Sequence, residues 1–70
     1  MTKKEIKRRY EKGFDIKFYS KDSSKYFHYF KEEYNDFYTQ DIYEDDFNGE
    51  LVETNFDQEL SDILRTFENR

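Results

Sequence analysis

Fifteen of the 24 hydrophobic residues in this 70-residue chain are Phe or Tyr, and the chain contains neither alanine nor cysteine. A chain so short buries only about 60% of the surface its unfolded form exposes, which leaves a thin margin of stability. Disulfides and cysteine zinc sites are closed to it. Dense packing of large rings, each able to bury roughly 150–250 Å², and self-association are the remaining routes to a stable fold. A mean hydropathy of −1.30 with 41% charged residues would alone suggest disorder. The rings argue for one folded domain over residues 1–70. They are also more than one small interior needs. Some should lie at the surface, where tyrosine serves interfaces, and a homodimer would use that surplus.

Local patterns give the elements. Thr2 followed by Glu5 is a capping-box pattern, Ile6 and Tyr10 lie one turn apart, and Gly13 can end a helix in the left-handed region, so a helix is expected over 3–12. Phe14, Ile16 and Phe18 alternate with Asp15, Lys17 and Tyr19 as in a half-buried strand, and Ser20 to Ser24 read as a polar turn. Over 25–38 the spacing of Phe27, Phe30, Tyr34 and Phe37 predicts a central aromatic helix. The competing reading makes Tyr26 to Phe30 a strand, with Asn35-Asp36 turning into another. Asn48-Gly49 predicts a type I′ hairpin of 41–47 against 50–54, with Glu44 facing Glu53 and Asp45 facing Val52. Asn55 with Gln58, or Asp57, would cap a last helix whose stripe is Leu60, Ile63, Leu64 and Phe67. The expected class is α+β: terminal helices, the central aromatic helix and a short antiparallel sheet.

Charge is segregated along the chain. Between Lys31 and Arg65 there is no lysine or arginine, yet those 33 residues carry twelve carboxylates: Glu32, Glu33, Asp36, Asp41, Glu44, Asp45, Asp46, Glu50, Glu53, Asp57, Glu59 and Asp62. Residues 1–31 hold ten bases against four acids, and the net charge of the whole is −5. A single-sign field of this size attracts partners of the opposite sign. Twelve carboxylates match the charge on about 20 Å of B-DNA, which presents one phosphate charge per roughly 1.7 Å. We therefore take Glu32, Glu33, Asp36, Asp41, Glu44, Asp45, Asp46, Glu50 and Glu53 as a contact set for a basic surface, with Tyr34, Tyr38 and Tyr43 adding ring contacts. The alternative is that these carboxylates are ordinary solvated surface.

Other chemistry finds little support. The segment Glu44 to Asn55 departs from a calcium loop at its first and twelfth positions, where Asp and a bidentate Glu belong. His28 is the sole histidine and has no partner for zinc or for a nucleophile. The pairs Glu32-Glu33 and Asp45-Asp46 are adjacent in sequence, which says nothing of the separation that acid–base chemistry requires. No enzyme, metal or cofactor is expected. Lys3, Lys4, Lys7, Arg8, Arg9 and Lys12 could contact nucleic acid as a small regulator would, with Tyr10, Phe18 and Tyr19 for stacking, but the acidic block nearby would repel phosphate. No stretch approaches the roughly 20 apolar residues of a membrane span, and the first residues lack the apolar run of a signal peptide.

Taken together, the small size, absence of cysteine, many tyrosines and acidic stretch Glu32 to Asp62 resemble phage-encoded DNA-mimic inhibitors of host proteins. Within that group the chain is similar to small inhibitors of the bacterial DNA sliding clamp. The resemblance implies a plug for a basic channel, acting in the bacterial host cytosol. Gln58 to Leu64 shares letters with the clamp-binding peptide motif, but its spacing differs and the segment reads as helix, so that mode is not assigned.

Overall fold

The computed structural model describes residues 1–69. Helix α1 (Lys3–Lys12) leads into a sheet of β1 (Ile16–Ser20), β2 (Lys25–Phe30), β3 (Tyr38–Tyr43) and β4 (Leu51–Gln58), and helix α2 (Leu60–Glu68) closes the chain. All three strand pairings are antiparallel, and the order across the sheet is β1-β2-β3-β4, an α+β meander. The Thr2 hydroxyl accepts the Glu5 N–H at 3.2 Å to start α1, and Gly13 ends it at φ 76°, where a side chain would be strained.

Both helices cover the same face of the sheet. Ile6 of α1 and Ile63 and Phe67 of α2 meet Ile16, Phe18, Phe27, Tyr29 and Tyr38 in one core. Phe18 is its hub, with ring centroids 5.7 Å from Phe27, 5.8 Å from Tyr29 and 5.4 Å from Phe67. Two tyrosine hydroxyls are satisfied inside. Tyr29 Oη accepts from Gln40 Nε2 at 2.6 Å, and Tyr38 Oη donates to the Arg9 and Tyr10 carbonyls at 3.1 and 2.8 Å, tying β3 to the last turn of α1. The other face bears Lys17, Tyr19, Tyr26, His28, Asp41 and Tyr43 and no helix.

The central aromatic helix does not form. A helix over 25–38 would bury one stripe and leave Tyr26, His28 and Tyr29 beside it. As a strand, the same run sends Phe27 and Tyr29 into the core and sets Tyr26 against Tyr19 on the far face, at 4.7 Å. Strand pairing on both sides thus houses every ring of Tyr26 to Phe30, so the strand of the competing reading forms, but its Asn35-Asp36 turn does not: the Asn35 N–H donates to the Glu32 carbonyl at 3.1 Å, which puts the turn at Glu33-Tyr34. Residues 31–37 form the connection to β3, with Tyr34 at φ 81°.

The hairpin exists, but its turn is not type I′. Neither Asn48 nor Gly49 has positive φ. The β3–β4 pairing starts at Tyr43 opposite Leu51, and residues 44–50 form a loop closed by the Glu44 N–H donating to the Glu50 carbonyl at 3.0 Å. Within it the Asn48 N–H donates to the Asp46 carboxylate at 2.7 Å and the Gly49 N–H to the Asp46 carbonyl at 3.0 Å. Two forces favour this arrangement over the expected ladder. It spares the facing of Glu44 and Glu53, and it lets Phe47 fold back onto the helix-free face, edge-on to Tyr26 at 5.3 Å with the Lys17 ammonium 5.4 Å from its ring.

The last helix keeps its expected stripe, with Ile63 and Phe67 buried and Leu60 and Leu64 packed against the core. Its cap differs. Asn55 and Asp57 lie within β4, and Glu59 is the N-cap, its N–H donating to the Asp62 carboxylate at 3.2 Å.

Candidate acidic interface

In a meander the order along the chain is also the order across the sheet, so a charge gradient in sequence becomes a gradient in space. Lys17 of β1 lies toward one edge and the acidic β3, β4 and their loops toward the other, while α1 reaches β3, where Tyr10 stacks on Tyr38 at 4.6 Å. Three strand spacings of about 4.8 Å separate β1 from β4, roughly 14 Å, which exceeds a Debye length of about 8 Å at physiological salt. The two fields nevertheless meet at the 44–50 loop, where the Lys17 ammonium lies 5.4 Å from the Phe47 ring and Lys25 3.4 Å from Glu44.

Little inside the molecule neutralises the acidic half. Of its twelve carboxylates only Glu44, 3.4 Å from Lys25, and Asp62, 3.6 Å from Arg65, have an ion pair among the described residues. Asp41 accepts from the Thr54 hydroxyl at 2.8 Å and Glu53 from Asn55 at 2.8 Å, neutral bonds that orient the carboxylate and leave its charge. The basic helix is more engaged. Glu5 holds both Arg8 and Arg9, at 2.9 and 3.0 Å, and Lys3 pairs with Glu68. The Arg8 guanidinium draws the Glu5 carboxyl below its ordinary range.

The structure divides the expected contact set. Glu44, Asp45, Asp46 and Glu50 share the 44–50 loop at one end of the sheet, whereas Glu32, Glu33 and Asp36 belong to the 31–37 connection at the other. One strand length, about 20 Å for six residues, lies between them. Glu53 sits midway along β4. Asp41 is half-buried on the helix-free face, where its proximity and the burial of the Tyr43 hydroxyl both raise the pKa of that phenol, burial more. At the 31–37 end a groove of about 490 Å³ is lined by Tyr10, Asp36, Phe37, Asp57, Gln58 and Glu59. Asp57 and Glu59 thus join Asp36, a grouping hidden as long as the strand was expected to stop at residue 54. The continuing run Thr54-Asn55-Phe56 carried the missed signal.

The ring contacts need one correction. Tyr38 is 1% exposed, its hydroxyl is spent on α1, and burial pushes its pKa up to about 12, so it cannot touch a partner. Tyr34 is 95% exposed, and Tyr43 is half-buried beside Phe47. His28 packs against Phe30, and its buried Nε2 lies 3.2 Å from the Asp15 carboxylate without hydrogen-bond geometry. No group of three His, Cys, Asp or Glu among the described residues could hold a metal ion, and no described helix is long and apolar enough to cross a membrane.

Comparison of the chain with family models, with curated proteins and with solved structures gave no match.

Proposed function

We propose that this chain is a non-catalytic inhibitor that mimics DNA, setting its acidic half against the basic DNA-binding channel or groove of a bacterial host protein. The replication sliding clamp is the favoured target. The observation that carries the reading is that ten of the twelve carboxylates between Lys31 and Arg65 have no ion pair among the described residues and lie on β3, β4 and the segments that flank them. Their density is of the right order: the molecule is 28 Å in its longest extent, and a duplex of that length carries roughly 16 phosphate charges. Within this reading Glu44, Asp45, Asp46, Glu50 and Glu53 form the main contact row, and Asp36, Asp57 and Glu59 a second. Tyr34 and Tyr43 supply rings.

The test is competition. The protein displaces labelled duplex from a purified clamp, blocks clamp-dependent synthesis, and does not itself shift duplex in a gel. Reversing Glu44, Asp45 and Asp46 to lysine weakens the complex about tenfold or more, and wild-type affinity falls as salt rises. A complex indifferent both to salt and to this reversal sinks the reading. A second reading, nucleic-acid binding through α1, draws on Lys4, Lys7 and Lys12, which have no ion pair among the described residues. It requires a gel shift that Lys4, Lys7 and Lys12 reversal removes.

A further inference from the structure

The helices leave one face of the sheet open, and that face is aromatic. Tyr19 packs on Tyr26 with ring centroids 4.7 Å apart, Phe47 stands edge-on to Tyr26 at 5.3 Å, and Tyr43 lies 6.5 Å from Phe47, so four rings make an unbroken strip from β1 to β3. Leu51, opposite Tyr43, continues it onto β4. The strip is only partly folded away: Tyr19 is 40% and Leu51 50% exposed, and Tyr26, Tyr43 and Phe47 are half-buried. A contiguous ring surface left in water on a face that no element covers marks a contact site.

Charge selects the occupant. The two lysines on this side are already engaged, Lys17 with its ammonium 5.4 Å from the Phe47 ring and Lys25 3.4 Å from Glu44. The carboxylates around the strip are not: Asp15, Asp41, Asp45, Asp46 and Glu50 have no lysine or arginine partner among the described residues. Asp41 stands opposite His28 and diagonal to Tyr26, its carboxylate oriented by the Thr54 hydroxyl at 2.8 Å. Stacked bases would bring phosphates against these groups, and a second copy of the chain would bring the same uncompensated carboxylates. An arginine brings what the face lacks. Its guanidinium lies flat on a ring by cation–π attraction while its N–H fork reaches a carboxylate beside that ring, two contacts that a lysine ammonium does not combine.

We propose that this face receives arginine side chains of a basic partner protein, their planes on the rings of Tyr19, Tyr26 and Tyr43 and their N–H groups on Asp41 and the carboxylates of the 44–50 loop. The inference deepens the DNA-mimic reading and rests on it for the partner. It adds an attraction that DNA in the same channel cannot supply, since a duplex backbone offers a guanidinium charge and hydrogen bonds but no ring. Contacts over half-buried rings are also screened less than those of exposed carboxylates, so a share of the affinity survives added salt.

The probes are an acetylated hexa-arginine amide and its hexa-lysine counterpart, equal in charge, titrated into the full chain by calorimetry and by NMR. The arginine peptide binds about fivefold more tightly than the lysine peptide, and its addition shifts the ring resonances of Tyr19, Tyr26 and Tyr43. Tyr19→Leu, which keeps an apolar cover and every carboxylate, narrows the preference to about twofold with the circular dichroism unchanged. Equal binding of the two peptides overturns the proposal, as does a preference that Tyr19→Leu leaves intact, which would belong to the carboxylates alone. Ring resonances that move with protein concentration, or on addition of oligothymidine, would give the face to a second copy or to nucleic acid and overturn it too. The DNA-mimic reading fails separately: it is lost if the chain does not displace duplex from the clamp and kept if it does, whichever way the peptides divide.

Discussion

The connections 31–37 and 44–50 are equal in length and both acidic, yet they are held very differently. The 44–50 loop is pinned by Phe47, whose ring lies among Tyr26, His28 and Tyr43 at 5.3 to 6.5 Å. The 31–37 connection turns its central ring outward, with Tyr34 almost wholly in water. An acidic loop on its own would rather expand than fold back, since its charges repel. A ring delivered to an apolar surface reverses that preference at the middle of one loop, whereas in the other the half-buried ring, Phe37, stands at its end next to β3. On this account the row Glu44, Asp45, Asp46 and Glu50 is fixed in place, while Glu32 and Glu33 ride on a segment tied down mainly at its ends.

Removing Phe47 is the strongest way to erase the difference. Full burial of a phenylalanine gives losses of roughly 3–5 kcal/mol on truncation. Phe47 is half-buried, so Phe47→Ala should cost about 2 kcal/mol in urea unfolding. The four carboxylates of the loop would then lose their common setting, and amide exchange at 45–49 should rise toward that of 32–36. A loss below about 0.5 kcal/mol, with exchange unchanged, would mean that the backbone bonds of Asp46 alone hold the loop.

The far end of the 31–37 connection is anchored by Tyr38, and here the effect is smaller and depends on pH. Tyr38→Phe removes the hydroxyl that serves two α1 carbonyls and should cost about 1 kcal/mol. Burial raises the phenol of the native state to about 12, against about 10 in the unfolded chain. The unfolded state therefore ionises first. The stabilisation is complete below pH 10 and is lost as pH climbs through 12. Wild-type stability should fall over that window, and the fall should be shallower in Tyr38→Phe. Equal slopes would show that the hydroxyl ionises as easily folded as unfolded.

Both connections also show what a sequence of this kind discloses. The helices at the ends were legible because each needed only local signals: Thr2 and Gly13 for α1, the Leu60-Ile63-Leu64-Phe67 stripe for α2. β2 was obscured because Phe27, Phe30, Tyr34 and Phe37 match a helical stripe by coincidence of spacing, and only the partners Ile16, Phe18 and Gln40, distant in sequence, make Tyr26 to Phe30 a strand. Asn48-Gly49 marked the hairpin correctly and its geometry wrongly, since the position of Phe47 is a tertiary matter. The charge polarity of the site could be read because a meander preserves chain order. Which carboxylates become neighbours could not, because loops adjacent in sequence emerge at opposite ends of a strand. That is why Asp36 ends beside Asp57 and Glu59 and far from Glu44.

The smallest effect should come at the tip of the free connection. Tyr34 holds a left-handed backbone at φ 81° with its side chain in solvent, a conformation that costs a non-glycine residue roughly 1–2 kcal/mol. Tyr34→Gly relieves that cost but adds freedom to the unfolded chain worth about 0.4–1 kcal/mol, so the net gain should be only about 0.5 kcal/mol. Stability thus rises slightly when the ring goes, the opposite of the Phe47 result. If the ring is retained for a partner, the same substitution must weaken the proposed clamp complex while stabilising the free protein. A Tyr34→Gly protein that is more stable and binds as tightly as the wild type would assign the contact surface to the pinned loop and the β4 side alone.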